Sequence, residues 1–388
     1  MGAMNNFTWH NPTRIVFGKG AIAQIRDLIR RDERVLMTFG GSSIKSNGVY
    51  DQVKAALRRR GVLEFGGIGP NPLYETLMEA VKIVNRQRIT FLLAVGGGSV
   101  LDGTKFIAAG ACYRGDPWKM LAHRATMPPK SAVPLGCILT LPATGSESNG
   151  FAVISRRSTQ EKLAFGSEHT YPRFAVLDPT TTMSLPAKQV RNGIVDAFAH
   201  VMEQYCTYPV NAALQDRQAE AILATLIEQG PITLKNPADY HARANFMWAA
   251  TQALNGLIGV GVPQDWATHM IGHELTAFYG LDHAQTLAIV MPGLLRHQRK
   301  RKAAKLVQFA RRVWNVTVGG DEAAAEAGIA RMEAFFHSLG MPTRLADHGI
   351  DPAEAARKVH ARFAQRGTKL GEHGDLGAKQ VKEVLLTC

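Results

Sequence analysis

The sequence predicts an α/β domain built on a doubly wound, mostly parallel sheet, followed by an all-α domain. Three observations carry this prediction. Strand-like and helix-like segments alternate through the first half, with short loops between them. A triple-glycine turn, Gly96-Gly97-Gly98-Ser99, follows one of those strands and opens a helix. From residue 187 onward only helix-like runs remain, separated by Gly and Pro breaks.

Taken in order, residues 13–17 form a short apolar strand and 21–30 an amphipathic helix. A buried strand over 34–39 precedes a helix over 48–60, and 73–87 repeats with helical period. Residues 91–95 are a strand and 100–111 a helix, with further strands at 134–140 and 174–177. The texture changes after Asp178-Pro179. Helices are expected over 190–205, 212–229, 242–257, 266–278 and 302–314. The boundary falls near Thr180, giving domains of 1–180 and 181–388.

Composition narrows the function classes. A chain of 388 residues exceeds one compact domain, and 46% hydrophobic with 20% charged residues is ordinary for a soluble enzyme. No apolar run approaches the ~20 residues of a membrane helix. The start lacks the basic, apolar and small-residue zones of a signal peptide. Cys112, Cys137, Cys206 and Cys388 lie far apart with no CxxC, which fits free thiols in a reducing cytoplasm and argues against a cysteine-type zinc site. The net charge of +13 is dispersed, with small clusters at 58–60 and 299–302. Without an aromatic-interleaved basic stripe it reads as solvated surface, so no nucleic-acid partner and no membrane are expected.

The glycine loops point to a nucleotide. Consecutive glycines at 96–98 let backbone approach a phosphate, the helix N-terminus offers free N–H groups, and Ser99 adds a hydroxyl. The earlier Gly18-Lys-Gly20-Ala-Ile-Ala23 imitates a dinucleotide fingerprint. The following strand ends in Phe39-Gly40-Gly41-Ser42-Ser43 without the carboxylate that fingerprint requires, so the earlier segment is read as a turn. That missing carboxylate matters in its own right. A carboxylate there holds a ribose 2′-hydroxyl and repels a 2′-phosphate, so Gly40, Gly41, Ser42 and Ser43 favour NADP over NAD if this strand faces the adenosine. A third small polar loop runs from Thr140 through Thr144 and Ser146 to Glu147.

The helical half carries metal-type residues at helical spacing. Asp196 and His200 are four residues apart, as are His269 and His273, and His283 follows in a turn. Imidazoles with a carboxylate suit a divalent transition metal. His273-Glu274 suggests HExxH, but Ala277 stands at the second histidine position, which excludes a metalloprotease helix. Spacing alone does not decide between His269 and His273. The remaining histidines lack partners at ligand spacing.

Together Gly96 to Ser99 with Asp102, Thr140 to Glu147, Asp196-xxx-His200, His269-xxx-His273 and Gly280-xx-His283 resemble the iron-containing (group III) alcohol dehydrogenase family over nearly the whole chain. Within it the chain is most similar to bacterial NADPH-dependent, broad-specificity aldehyde reductases related to butanol dehydrogenase. The segments at 91–105, 248–258 and 261–269 carry that similarity.

The resemblance implies a dinucleotide-binding first domain and a metal-binding second domain. It implies one divalent metal, Zn²⁺, Fe²⁺ or Ni²⁺, on Asp196, His200, His269 and His283, with His273 and Asp102 as catalytic residues near the nicotinamide. It implies Gly97, Gly98 and Ser99 at the diphosphate, with Asp102, Thr140, Thr144, Ser146 and Lys162 along the ribose and nicotinamide. Many NAD-using members carry Asp where this chain has Gly40. The usual proline before the last histidine is replaced by Asp282. The expected activity is metal-dependent reduction of short- to medium-chain aldehydes to primary alcohols with NADPH, in a cytoplasmic homodimer joined through residues 6–17. The rival readings are a metal-dependent lyase or cyclising enzyme on the same fold, and a basic nucleic-acid-binding protein.

Overall fold

The computed structural model of the chain describes residues 2–58, 60–123, 125–317 and 319–388. Arg59, the middle of the basic cluster at 58–60, lies outside the described residues. The chain forms two compact units. One comprises His10–Pro186 and Asn236–Asn255, the other residues 2–9, Ala187–Lys235 and Gly256–Cys388.

The first unit holds strands β1 (Arg14–Phe17), β2 (Val35–Phe39), β3 (Val62–Phe65), β4 (Phe91–Gly97), β5 (Leu135–Leu141), β6 (Phe151–Arg156), β7 (Glu161–Gly166) and β8 (Phe174–Leu177). Six of them form one sheet in the order β1-β8-β5-β4-β2-β3, every pairing parallel. Strands buried on both faces need near-continuous apolar sequence, which is what β2, β4, β5 and β8 have. Alternation then sorts the side chains. Leu36, Leu92 and Ala94 face one apolar layer, while Val35, Met37, Leu93 and Val95 face the other.

Helices cover both layers: α1 (Ile25–Leu28), α2 (Ser43–Ser46), α3 (Val49–Ala56), α4 (Tyr74–Gln87), α5 (Gly98–Cys112) and α6 (Lys119–Ala122). Leu77, Val81 and Val84 of α4 and Leu101 of α5 pack on the first layer, and Ile25, Val49 and Val53 on the second. The expected helix over 21–30 is a 3-10 turn, Ala21–Gln24, followed only by α1, because Ile29 is already extended. Gly20, at φ 77°, is the turn anticipated for the false fingerprint, and its N–H donates to Asp178 Oδ2 at 2.6 Å.

Sequence reading passed over β3 and the antiparallel β6–β7 hairpin. β3 is a half-exposed edge strand with Glu64 among its four residues, so it lacks the unbroken apolar run that marks the equally short β8.

The second unit is helical: α7 (Ala187–Tyr205) and α8 (Ala213–Lys235), then α10 (Ala267–Tyr279), α11 (His283–His297), α12 (Ala303–Arg312), α13 (Asp321–Ser338), α14 (Pro352–Arg366) and α15 (Ala378–Leu386), while α9 (Tyr240–Ala253) belongs to the sheet-bearing unit. α8 runs on through Pro231, past the end expected at Gln229. α7 is buried almost all round, its Phe198 set against Phe309, Phe335 and Phe336. Its polar residues Asp196, His200, Glu203 and Gln204 are therefore buried too, and buried polar groups require partners.

A candidate metal centre and a glycine-rich strand end

Among the described residues, one group of His, Cys, Asp and Glu side chains converges closely enough to hold an ion. It consists of Asp196, His200, His269 and His283, whose ligand atoms all lie within 4.8 Å of one another. Asp196 and His200 share a face of α7, His269 sits in the first turn of α10, and His283 opens α11. His200 Nε2 and His283 Nε2 stand 3.6 and 3.7 Å from Asp196 Oδ1. That exceeds a hydrogen bond but is close to the roughly 3.4 Å edge of a tetrahedron with bonds of about 2.1 Å. The rings of His200 and His269 stack with centroids 4.7 Å apart, and His283 meets His269 edge-on at 5.1 Å.

His269 supplies the fit test. Its Nδ1 bonds the Glu203 carboxylate, and its buried Nε2 has no hydrogen-bond partner among the described residues. A buried imidazole nitrogen with no hydrogen-bond partner, on a residue clustered with three other ligand-bearing side chains, fits the role of a metal ligand. Three nitrogens and one oxygen fit Fe²⁺, Zn²⁺ or Ni²⁺.

Glu203 was missed in the sequence. Its signal was available, because it lies seven residues after Asp196 and three after His200 on one helix face. Besides the His269 ring it accepts Thr268 N–H at 2.6 Å and His269 N–H at 3.3 Å. These are first-turn amides of α10, whose own N-cap, Trp266, provides no side-chain acceptor and sits at φ 64°. The Trp266 indole in turn packs edge-on against His269 with centroids 5.3 Å apart.

Asp282 places His283. It caps α11 through a reciprocal capping box with Gln285, and its carboxylate accepts Asn192 Nδ2 at 3.0 Å and Lys188 Nζ at 2.8 Å. His273 lies one turn beyond His269, its ring 5.4 Å from that of His283. Glu274, the would-be general base of HExxH, is instead buried between Arg362 at 2.6 Å and Arg366 at 2.8 Å.

In the sheet-bearing unit, Phe39 pairs with Val95, so Gly40, just past the end of β2, and Gly96, near the end of β4, stand at the same level of adjacent parallel strands. β2 leads toward β3 on one side and β4 toward β5 on the other, which makes this the topological switch point where such sheets bind ligands. The glycines are also demanded by packing. A Cβ on Gly96 would lie 2.6 Å from Val100, one on Gly97 2.9 Å from Leu141, and one on Gly98 2.4 Å from Thr144. The N-terminus of α5, with glycine at its N-cap, therefore carries no side-chain cap over its first-turn amides. Ser42 and Ser43 are exposed, and a Cβ on Gly40 would meet the Ile68 carbonyl at 3.2 Å.

Beneath this lies a buried polar network. Asp102 Oδ1 accepts Ser146 Oγ at 2.6 Å and Oδ2 accepts Val153 N–H at 2.9 Å. Lys105, also missed in the sequence, donates to Ser146 Oγ at 2.9 Å, Asn149 Oδ1 at 3.1 Å and the Phe151 carbonyl at 2.8 Å. Burial pushes its amine down to about 8, against the pull of Asp102, and pushes the Asp102 and Glu147 carboxyls up. Lys162 donates to Asn71 Oδ1 at 2.9 Å, and Thr140 is buried near the end of β5.

The basic clusters are largely engaged. Arg299 pairs with Glu322 and Glu326, Arg301 with Asp375, and Lys302 is buried with Asp265 and Glu372. Arg60 donates to the carbonyls of Arg26, Ile29 and Arg30. Among the described residues no helix is long and apolar enough to cross a membrane.

A parallel sheet with a glycine-rich switch point, joined in one chain to a helical His₃Asp cluster, has the make-up of a metal- and nucleotide-using enzyme. The chain belongs to the iron-containing alcohol dehydrogenase family: the family model described as iron-containing alcohol dehydrogenase matches residues 12–179, and its C-terminal counterpart matches 191–387. The chain is 61% identical over 375 residues to the NADPH-dependent aldehyde reductase YqhD of Escherichia coli K12, covering 96% of this chain and 97% of that protein. The crystal structure of E. coli K-12 YqhD superposes with a TM-score of 0.98 at 58% identity, covering 100% of both chains. That of NADH-dependent butanol dehydrogenase A from Thermotoga maritima does so with 0.94 at 35%, covering 99% of both.

Proposed function

We propose that this protein reduces short- to medium-chain aldehydes to primary alcohols with NADPH, using one divalent metal held by Asp196, His200, His269 and His283. The observation that carries the reading is the buried, unpartnered His269 Nε2 facing three further ligand atoms. When bound, the metal supplies Lewis acidity to the substrate oxygen and NADPH supplies the hydride.

The chain's own residues do the rest. The uncapped amides at Gly98 and Ser99 receive the diphosphate, and Gly40 to Ser43 admit the 2′-phosphate because no carboxylate repels it. Relatives named for NADPH and for NADH are both similar to this chain, and Gly40 to Ser43 are our candidates for the residues that choose between the two. Thr140, Thr144, Ser146 and Lys162 line the ribose and nicotinamide end. Asp102, whose oxygens accept Ser146 Oγ and Val153 N–H, holds the Ser146 loop and keeps lone pairs free to act at the ribose and nicotinamide end. His273 holds or passes the proton that completes the alcohol.

We further assign the enzyme to the cytoplasm, with aldehyde and alcohol as its partners and no nucleic acid or membrane. Two copies would pair through the segment at 6–17, where the outer edge of β1 is open. The test is NADPH against NADH oxidation over an aldehyde panel, with bound metal measured on the same protein. His269→Ala should lose both turnover and metal, and an active, metal-replete variant would sink the assignment. Net consumption of NADPH by simple aldehydes also separates this reading from a lyase that uses its dinucleotide only transiently.

A further inference from the structure

Glu203 touches none of the cluster's ligand-to-ligand space, yet it holds His269 from two directions. Its carboxylate bonds the ring Nδ1 and accepts the backbone N–H groups of Thr268 and His269. Glu203 and His269 are 3% and 7% exposed. We propose that Glu203 is a positioning residue for the metal centre. It fixes His269 as the Nδ1–H tautomer, aims Nε2 at the ion, and anchors the α10 helix end that carries the ring.

The chemistry allows one arrangement. A carboxylate accepting two amide hydrogens acts here only as an acceptor, so Nδ1 must donate and the lone pair must sit on Nε2. The carboxylate also lies at the positive end of a thirteen-residue helix, where the amides stabilise its charge. The Trp266 indole packs edge-on against the His269 ring. The two anchoring interactions come from α7, the same helix that supplies Asp196 and His200. Three of the four ligands are thus referenced to one rigid element.

The inference rests on the ligand set proposed above, and the experiment keeps the two apart. Purified full-length protein, Glu203→Gln, Glu203→Asp and Asp196→Ala are each dialysed against a graded series of chelator, and retained zinc or iron is measured. Glu203→Gln should hold metal about 10- to 100-fold more weakly than the parent. Glu203→Asp, which keeps the charge, should recover part of that loss. Retention in Glu203→Gln equal to the parent would overturn the inference while leaving the ligand set intact. Retention in Asp196→Ala equal to the parent would overturn the ligand set itself. A second readout needs no variant. In metal-free protein above the imidazole titration range, ¹⁵N shifts of labelled histidine should report His269 protonated at Nδ1. Protonation at Nε2 would refute the proposal whatever the variants do.

Discussion

Asn192 donates through Nδ2 to Asp282 Oδ2 at 3.0 Å, so the helix bearing Asp196 and His200 is tied to the cap of the helix that begins with His283. Asp282→Ala should lower stability by about 1 kcal/mol, the usual size of an N-cap, and weaken metal retention because His283 loses its reference. Chemical denaturation and metal analysis of the same preparation check both. Asp282→Pro suits the backbone, which has φ −61°, but removes the N–H bonded to Gln285 and the carboxylate together. It should fold and still show the weaker retention.

Gly40→Asp addresses cofactor choice. The new carboxylate would stand at the end of β2 beside the switch point, repelling a 2′-phosphate and accepting from a 2′-hydroxyl. The ratio of kcat/KM with NADPH to that with NADH should fall by on the order of tenfold or more, since each 1.4 kcal/mol is a factor of ten. The Ile68 carbonyl, 3.2 Å from the added Cβ, must yield slightly, so a modest drop in thermal stability should accompany the switch. An unchanged ratio would remove this segment from the specificity argument.

Lys105 predicts a pH effect of definite sign. Its ordinary value is 10.5 and burial lowers it to about 8 in the folded chain. Below about 8 both folded and unfolded chains hold the proton, and the cost of burying the charge is complete. Between about 8 and 10.5 the unfolded chain binds more protons, so this group's contribution to stability rises with pH. Lys105→Met should lack that rise. Urea midpoints across the pH range, read for both proteins, decide the matter.

The proposed self-association has its own variant. Phe17, on the open outer strand, and Trp248 are each 43% exposed and meet edge-on at 6.2 Å. Open strand edges with exposed aromatic side chains invite a second copy. Phe17→Lys should shift the species measured by light scattering from dimer toward monomer, while leaving the far-ultraviolet circular dichroism unchanged. A parent that is monomeric at micromolar concentration would end the idea.

Much of the site was legible because its signals are local. Asp196 and His200 repeat at one helical turn plus a fraction, and Gly96 to Ser99 sit between an apolar strand and a helix. His269 and His273 share that spacing, so spacing does not separate them; the family resemblance chose His269, and in the fold His269 lies within the cluster and His273 a turn outside it. Glu203 and Lys105 went unread because a single carboxylate or amine on a helix looks solvated until the burial of the whole helix is known. β3 and the β6–β7 hairpin escaped for a different reason. Glu64, Arg156, Glu161 and Lys162 stand among their apolar residues, so these strands lack the unbroken apolar run that revealed the equally short β8.

The membership of α9 in the sheet-bearing unit has a consequence for how the protein is made. Thr251 on that helix donates to the buried Glu147 at 2.6 Å, and the Leu254 carbonyl just beyond accepts Asn149. A ribosome delivers residues in order, so these partners emerge only after α7 and α8 have been synthesised. Until then Glu147 and Asn149 have no such neighbours, and the glycine-rich half of the molecule waits unfinished. Nascent chains arrested before residue 240 should accordingly be more sensitive to protease in the 140–150 loop than chains arrested beyond 255.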